Sequence, residues 1–149
     1  MLARGRFVLL TALMILSFGS CIAPTSSTVS GELTVKSDEF GEWRYAPTRC
    51  YSGEPGGFFG VDLIEGPEGS DRIVRVVEDP IDGAALRINV PGEELSLVVE
   101  QDGCRDWDVQ LDRTNTRVNY VWNMDGHVEV SCAGEGVTID ASLAFVGCH

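Results

Sequence analysis

Short segments in which apolar and polar residues alternate follow one another from Glu32 to the end of the chain. The alternation is clearest at residues 128–130 and 137–140, where every second side chain is apolar. Such alternation places one face of a strand in a core and the other face in water. Turn residues separate the segments about every eight to twelve residues, which is typical of a sandwich or a barrel. The pattern predicts an all-β domain over residues 32–149, a small antiparallel sandwich or barrel of about eight strands.

The strands predicted from this pattern lie between clusters of glycine, proline, aspartate and asparagine. In chain order they are residues 31–37, 57–65, 72–79, 85–90, 95–101, 107–113, 117–122, 127–132 and 137–146. The segment NMDG at 123–126 is predicted to be a turn. No segment after residue 21 keeps a helical period, so no helix is expected in the domain.

The N-terminus has a different pattern, because residues 7–16 are almost purely apolar. Arg4 and Arg6 precede this run and small residues follow it, which is the arrangement of a secretory signal peptide. The run is about half the length that a transmembrane helix needs. We therefore predict that residues 1–20 are a signal peptide.

The apolar run ends in Phe18-Gly19-Ser20-Cys21, which resembles the lipobox of bacterial lipoprotein precursors. In that family a peptidase cuts before the cysteine, and acyl chains are attached to its sulfur and its new amino group. The family prefers leucine where this chain has Phe18. The resemblance implies that Cys21 is lipidated and that the protein is exported and held on the cell membrane or outer membrane, facing the periplasm or the exterior. A plain signal peptide with an incidental cysteine is the alternative.

Residues 22–31 are mostly small and polar and include one proline. This composition is typical of a flexible linker. We therefore predict that residues 21–31 comprise the lipidated cysteine and a flexible tether.

The cysteine count agrees with a lipidated Cys21, because four cysteines then remain: Cys50, Cys104, Cys132 and Cys148. An even number in an exported protein predicts two disulfides. A Cys132–Cys148 bond is disfavoured, because a straight hairpin would hold these residues over about 30 Å apart. We favour Cys104–Cys132 with Cys50–Cys148, since an antiparallel pair of residues 107–113 and 127–132 brings the first two together. A plain meander would instead give Cys104–Cys148 with Cys50–Cys132.

Charge limits the classes of partner. The chain has 11 basic and 23 acidic residues, and removal of residues 1–20 with two arginines leaves 9 − 23 = −14. Nucleic acid and anionic headgroups repel such a chain, so no nucleic-acid partner is expected. The membrane is expected as a partner through the N-terminal lipid, together with an envelope protein or ligand that the sequence does not identify.

Candidate chemistry in the domain is sparse. Three pairs of neighbouring carboxylates could serve a hydrolase, and three aspartate-containing segments could offer oxygens to calcium. The pairs are Asp106 with Asp108, Asp79 with Asp82, and Glu93 with Glu94, and the segments are 79–83, 102–108 and 123–126. Ordinary acidic residues in solvated turns explain these positions better, so we predict no catalytic residue, no metal and no cofactor beyond the lipid. His127 and His149 lack the partners and spacing of a zinc site.

The dipeptide Phe58-Phe59 within GGFFG is the most suggestive local feature of the domain. Adjacent strand residues point to opposite faces, so one ring is expected in the core and the other outside or in a second sheet. An outward ring could dock a partner or a sugar, and we predict a candidate binding surface at Phe58 and Phe59.

The mature part resembles the mycobacterial lipoprotein antigen family in its Cys21, TSSTVS, Cys50 and FVGCH elements. That family has a lipidated cysteine, a Ser/Thr-rich tether and a small disulfide-linked β domain. This chain has an additional cysteine pair, so no functional residue is carried over. The sequence favours a non-enzymatic, lipid-anchored envelope domain with a binding or structural role, ahead of a carrier of an apolar ligand or glycan, and ahead of a hydrolase.

Overall fold

The computed structural model describes residues 26–149, so the predicted signal peptide and Cys21 lie outside the described residues. Ten strands are present: β1 (Thr28–Ser37), β2 (Gly41–Tyr45), β3 (Arg49–Ser52), β4 (Gly60–Ile64), β5 (Ile73–Asp79), β6 (Gly83–Asn89), β7 (Ser96–Glu100), β8 (Cys104–Val118), β9 (Val121–Gly134) and β10 (Val137–Cys148). Two short 3-10 turns lie at Glu54–Gly56 and Gln101–Gly103. Within this range, no helix is long and apolar enough to cross a bilayer.

The strands form two antiparallel five-stranded sheets that share one core. The first sheet has the order β2-β1-β10-β9-β8, and the second has the order β3-β4-β5-β6-β7. From Thr28 onward, β1 and β2 lie in the first sheet, β3 to β7 build the whole second sheet as a meander, and the chain returns to the first sheet, where β10 pairs with β1. The predicted all-β fold is confirmed, and it takes the form of a sandwich.

The core follows the period-two alternation seen in the sequence. In β10, Ile139, Ala141, Leu143 and Phe145 are buried and alternate with exposed residues. Strands β1, β5, β6 and β9 contribute buried residues at the same period. Each fully buried aliphatic side chain is worth about 1.5–3 kcal/mol relative to exposure, so this shared inner face is the main source of stability.

The two predicted disulfides are confirmed. Cys50–Cys148 joins β3 of the second sheet to β10 of the first, and Cys104–Cys132 joins β8 to β9. The second bond forms because β8 and β9 pair with Cys104 opposite Cys132. This pairing leaves Cys50 and Cys148 for each other.

The predicted tether, residues 21–31, is too long at its C-terminal end. Strand β1 starts at Thr28, and residues 28–31 pair with β10 from Val146 to Leu143. The small polar composition of this segment suits an exposed strand as well as a linker. Residues 28–31 form a strand rather than a linker because their backbone pairs with β10, and the sequence does not show this pairing. The domain therefore starts four residues before the predicted Glu32.

Two further predictions, the strand at 117–122 and the turn at 123–126, are wrong. The chain reverses at Asn119 and Tyr120, both of which have positive φ and form a two-residue hairpin turn. Residues 123–126 lie inside β9, where Asp125 faces Asp112 and Gly126 faces Leu111. The error arises because NMDG has a stronger local turn composition than VNYV. The pairing of β8 with β9 nevertheless places the turn in VNYV and keeps NMDG within a strand.

Strands β2 and β3 were not predicted, because they have five and four residues and a proline lies between them. The predicted strand 57–65 is shorter than expected, since β4 starts at Gly60. Phe58 and Phe59 therefore precede the strand and lie in a loop.

Tyr45 gives the fold a defined pH dependence. Its hydroxyl is buried and donates a hydrogen bond to the Asn89 carbonyl oxygen at 2.7 Å, which ties the end of β2 to the end of β6. Burial raises the pKa of Tyr45 from 10.0 to about 12, although the Arg72 guanidinium beside the ring opposes this shift.

We expect the free energy of unfolding to fall as the pH rises from 10.0 to about 12, because the unfolded chain loses the phenolic proton first. The full effect is about 2–3 kcal/mol, from a shift of about two pKa units. A Tyr45→Phe variant should lose about 1–2 kcal/mol at neutral pH and should lack this alkaline step. Urea unfolding at a series of pH values measures both quantities, and parallel curves for the two proteins would contradict the assignment.

Candidate binding site

The loop over residues 53–60, which joins β3 to β4, is closed by its own backbone. The Gly53 N–H donates to the Gly60 carbonyl oxygen at 2.7 Å. The Ser52 hydroxyl accepts the Glu54 N–H at 3.4 Å, and Pro55 lies at the start of the 3-10 turn, where its fixed φ is compatible with the helix. The segment SGEPGG is therefore a compact turn, as the sequence indicated, and it is rigid enough to position the two phenylalanines.

Phe58 is half-buried and folds back over its own loop. A Cβ added to Gly53 would lie 2.3 Å from the Phe58 ring, so only glycine fits beneath it. The Arg75 guanidinium covers the ring at 4.3 Å from its centroid. Arg75 is held there by a bidentate pair of hydrogen bonds, which its guanidinium donates to the Asp62 carboxylate at 2.7 and 2.9 Å. Hydrogen bonding to Asp62 raises the pKa of Arg75. Phe58 is thus packed between its own loop and Arg75. The sequence analysis expected one of the two phenylalanine rings in the sandwich core, and this expectation is wrong, because neither ring belongs to the core.

Phe59 is 42% exposed, although it is a large apolar residue. Its backbone is anchored, because its carbonyl oxygen accepts the Glu78 N–H at 3.0 Å. An exposed aromatic ring on an anchored backbone is the kind of side chain that anchors a docking surface. Of the two residues of the predicted binding surface, Phe58 is therefore packed beneath Arg75 and Phe59 is open to solvent.

The loop contacts the β8–β9 hairpin through Glu54. Its Oε2 accepts the Trp122 backbone N–H at 2.8 Å, across 68 positions of sequence. Trp122 is half-buried and lies near the tip of this hairpin. The contact brings Trp122 to the same site as the phenylalanines, a proximity that the sequence analysis did not predict.

Two arginines stack on Trp122. The Arg117 guanidinium lies 3.8 Å from the ring centroid and that of Arg113 lies 5.1 Å away. Cation–π contacts of this kind are worth about 0.5–1 kcal/mol at exposed positions. Among residues 26–149, neither arginine has a carboxylate within ion-pairing distance. Their charge is therefore available to an anionic group.

These side chains surround a pocket of about 300 Å³ that opens at one end of the sandwich. Aromatic rings and a methionine form most of its wall, and one acid and one arginine stand at its rim. The lining residues are Ser52, Glu54, Gly57, Phe58, Phe59, Gly60, Arg113, Trp122 and Met124. We call this the aromatic pocket, and we call the end of the sandwich that carries it the pocket end.

No protein-family model matches this chain, and no curated protein or solved structure matches it. The site is therefore interpreted from its own geometry.

The carboxylate pairs lie elsewhere and hold local structure. Asp79 Oδ1 accepts the N–H groups of Ile81 and Asp82 at 2.8 and 3.2 Å, as an aspartate in a turn does. Asp106 pairs with the neighbouring Arg105, and Asp108 lies 3.1 Å from His127. Glu93 and Glu94 are exposed in the β6–β7 turn.

The histidines and the candidate calcium segments 79–83 and 102–108 lie outside the pocket lining, whereas the segment 123–126 contributes Met124 to it. The His149 ring nitrogen Nδ1 lies 2.7 Å from the Gly147 carbonyl oxygen. Across residues 26–149, no group of three or more His, Cys, Asp or Glu side chains is arranged to hold a metal ion.

Sequence reasoning found Phe58 and Phe59 but missed Glu54, Arg113 and Trp122. Arg113 and Trp122 are brought beside the phenylalanines by strand pairing and by the packing of the sheets, which no local pattern reveals. Glu54 lies in the same loop as the phenylalanines, but its contact with Trp122 depends on that packing. One signal was available: no acidic residue occurs between Asp112 and Asp125, although the chain carries 23 acids and this interval contains two arginines.

Proposed function

We propose that the protein is a lipid-anchored binding domain of a bacterial cell envelope, which acts without catalysis and uses the aromatic pocket as its ligand site. The observation that supports this proposal is the exposed Phe59 ring, fixed beside Trp122 and Arg113 at the rim of a preformed pocket. Small-molecule sites are usually largely preformed concavities with apolar walls and a few convergent polar groups.

The chemistry of the pocket favours a ring that carries an acidic group. Phe59 and Trp122 offer aromatic surface to the face of a sugar or an aromatic ring. The Arg113 guanidinium, which has no carboxylate partner among the described residues, offers its hydrogen-bond donors to a carboxylate. We therefore propose an acidic sugar or an aromatic acid as the ligand class.

The carrier hypothesis is the second candidate, and the aromatic wall of the pocket also supports it. A carrier of an apolar chain encloses its ligand, whereas this pocket opens to solvent beside the exposed Glu54 and Gly57. The open geometry favours recognition of a single ring over storage of a long apolar molecule.

Binding at the pocket can be tested with glucuronate and phenylacetate as probes, with glucose as the uncharged control. We expect amide NMR signals of residues 53–60 and of Trp122 to shift with an acidic probe and to stay in place with glucose. A Phe59→Ala variant should bind about tenfold more weakly, because an aromatic contact is worth about 0.5–1.5 kcal/mol beyond its buried area.

Tyr51→Ala is the matched control, since Tyr51 is 40% exposed and lies outside the pocket lining. It should leave the probe affinity unchanged. Equal losses in the two variants, or shifts spread evenly over the domain, would contradict a site at the aromatic pocket.

The anchor is tested separately by intact mass of the protein isolated from bacterial membranes. We expect the chain to lack residues 1–20, to carry the mass of acyl chains, and to show no free thiol before reduction. A Cys21→Ala variant should lose the acyl mass. An unlipidated chain with one reactive thiol would instead indicate that Cys21 is an ordinary cysteine of a freely secreted protein.

A further inference from the structure

The described chain begins at the pocket end. Thr28 pairs with Val146, and a Cβ added to Gly147 would lie 3.5 Å from the Ser26 carbonyl oxygen. Ser26 therefore lies against the last residues of β10. Cys148 in turn pairs with Met124, which lines the aromatic pocket. Ser26, the first described residue, therefore lies at the same end of the domain as the pocket.

The β8–β9 hairpin extends beyond this point. Strand β10 ends opposite Met124, whereas β8 and β9 continue to pair through Trp122 and Val121 to the turn at Tyr120. Four residues at about 3.3 Å each carry the tip about 13 Å past the end of β10. The tip is therefore the part of the first sheet that projects farthest from this end.

The tip has the composition of an interfacial segment. Tyr120 is 89% exposed at its apex. Arg113 and Arg117 stack on Trp122, and no acid occurs between Asp112 and Asp125. Tyrosine and tryptophan favour the headgroup level of a bilayer, and arginine binds phosphate through two parallel hydrogen bonds.

Other exposed apolar side chains gather at the same end. Phe59 lies beside the tip, and Val146, which is 54% exposed, lies opposite Thr28. Ile81, which is 91% exposed, lies in the β5–β6 turn. This turn is at the pocket end, because it follows Val77, and Val77 pairs with the pocket residue Gly60. Exposed apolar residues that cluster on one end of a domain mark an interaction surface.

We infer that the hairpin tip, residues 113–122, docks on the phospholipid surface to which the chain is anchored, with Tyr120 at the headgroup level and Arg113 and Arg117 on lipid phosphates. This inference rests on the proposed lipid anchor. It adds an orientation, in which the pocket end faces the bilayer, and it shares Arg113 with the ligand site proposed above. Tyr120 lies outside the pocket lining, so its replacement tests docking without altering that site.

The short length of chain between Cys21 and Ser26 supports a phospholipid surface as the partner of the tip. Four residues lie between Cys21 and Ser26, and the five Cα-to-Cα steps that join them span at most about 17 Å when extended. The tip projects about 13 Å from the level of Ser26, so an anchor at Cys21 keeps the tip within reach of the headgroups. A tether this short holds the tip at a high effective concentration at the surface, so weak contacts suffice.

The net charge of 9 − 23 = −14 repels anionic headgroups, and acidic groups also face this end, so docking depends on the local contacts of the tip and is limited in strength. Glu78, Asp79 and Asp82 flank the β5–β6 turn, and Asp112 precedes Arg113. Glu54 and Asp125 each accept a backbone N–H, from Trp122 and from Gly147. These groups are the same in wild type and in tip variants, so comparison of variants isolates the contribution of the tip.

The test uses protein extracted from bacterial membranes and reconstituted into phosphatidylcholine vesicles that contain phosphatidylglycerol and brominated lipid. Bromine quenches tryptophan fluorescence on contact, and a Trp122→Phe variant identifies the signal of Trp122 against those of Trp43 and Trp107. We expect strong quenching of Trp122 in the wild type. An Arg113→Gln/Arg117→Gln variant should lower the ratio of docked to undocked protein about 25-fold, at about fivefold for each arginine.

Tyr120→Gly separates docking from folding. Tyr120 has a φ of 71°, in the left-handed region where glycine is favoured, so this variant should fold at least as stably as the wild type. It should nevertheless dock about fivefold less, because the aromatic ring is gone. Arg87→Gln, an exposed arginine in the middle of the second sheet, is the control and should dock like the wild type.

Absence of Trp122 quenching in the wild type, or equal quenching in wild type and Tyr120→Gly, would overturn the inference. Intact mass of the same sample shows whether the proposed anchor is present. If Cys21 carries no lipid, its free thiol is coupled to a maleimide lipid in the same vesicles. The quenching then tests the tip even though the proposed anchor has failed.

Discussion

Replacement of Cys50 and Cys148 by alanine is expected to lower the free energy of unfolding by about 4–5 kcal/mol. The bond closes a loop of 98 residues, so its loss releases a large conformational entropy into the unfolded chain. Both cysteines are almost fully buried where β3 meets β10, so the alanines also lose packing contacts. Small domains are stable by about 5–15 kcal/mol, which leaves this variant close to its unfolding threshold.

The Cys104→Ala/Cys132→Ala variant provides the comparison. Its bond spans 28 residues and joins two strands that already pair, so we expect a loss of about 3–4 kcal/mol. Urea unfolding of the three proteins under identical non-reducing conditions gives both differences. A larger loss for the Cys104–Cys132 pair would contradict the view that the bond between the sheets is the main covalent constraint on the sandwich.

A Gly31→Ala substitution is expected to cost about 3 kcal/mol or more, although the sequence alone had assigned this residue to a flexible tether. Gly31 has a φ of 96°, and a Cβ there would lie 1.9 Å from the Ser142 carbonyl oxygen in the neighbouring strand. The variant therefore combines the strain of a left-handed backbone with a clash against another backbone, each worth about 1–3 kcal/mol.

Gly41→Ala separates the two contributions. Gly41 has a φ of 81° but no atom within 4 Å of an added Cβ, so it carries the backbone strain without the clash. We expect a loss of about 1 kcal/mol there. Thermal or urea unfolding measures both variants. A Gly31→Ala protein as stable as Gly41→Ala would show that residues 28–31 do not pair with β10 as described.

The sequence was most informative where a single local property decides the structure. The alternation in residues 137–146 identified β10 and its buried face, because the two faces of a strand differ only in their contact with water. Parity of the cysteines predicted two disulfides, and antiparallel strand geometry favoured the observed pairs over the pairing of a plain meander, because a disulfide requires close Cα atoms.

Local signals failed where two of them compete. NMDG has the composition of a turn, yet residues 123–126 continue β9, while Asn119 and Tyr120 form the turn. The register is set by the long pairing of β8 with β9, and this pairing outweighs the preference of any four residues. Residues 28–31 likewise resemble a linker until β10 lies beside them.

The candidate site likewise combines features that the sequence predicts with features that only the tertiary structure shows. The sequence by itself determined the all-β class, favoured the observed disulfide pairs over one alternative, and indicated Phe58 and Phe59 as a candidate surface, because each depends on spacing along one segment or on pair geometry. Only the tertiary structure decided that Glu54 meets Trp122 and that two arginines stack beside the phenylalanines. Glu54 lies in the loop that joins β3 to β4 of the second sheet, and Trp122 lies in β9 of the first sheet. Only the packing of one sheet on the other brings their atoms within hydrogen-bonding distance.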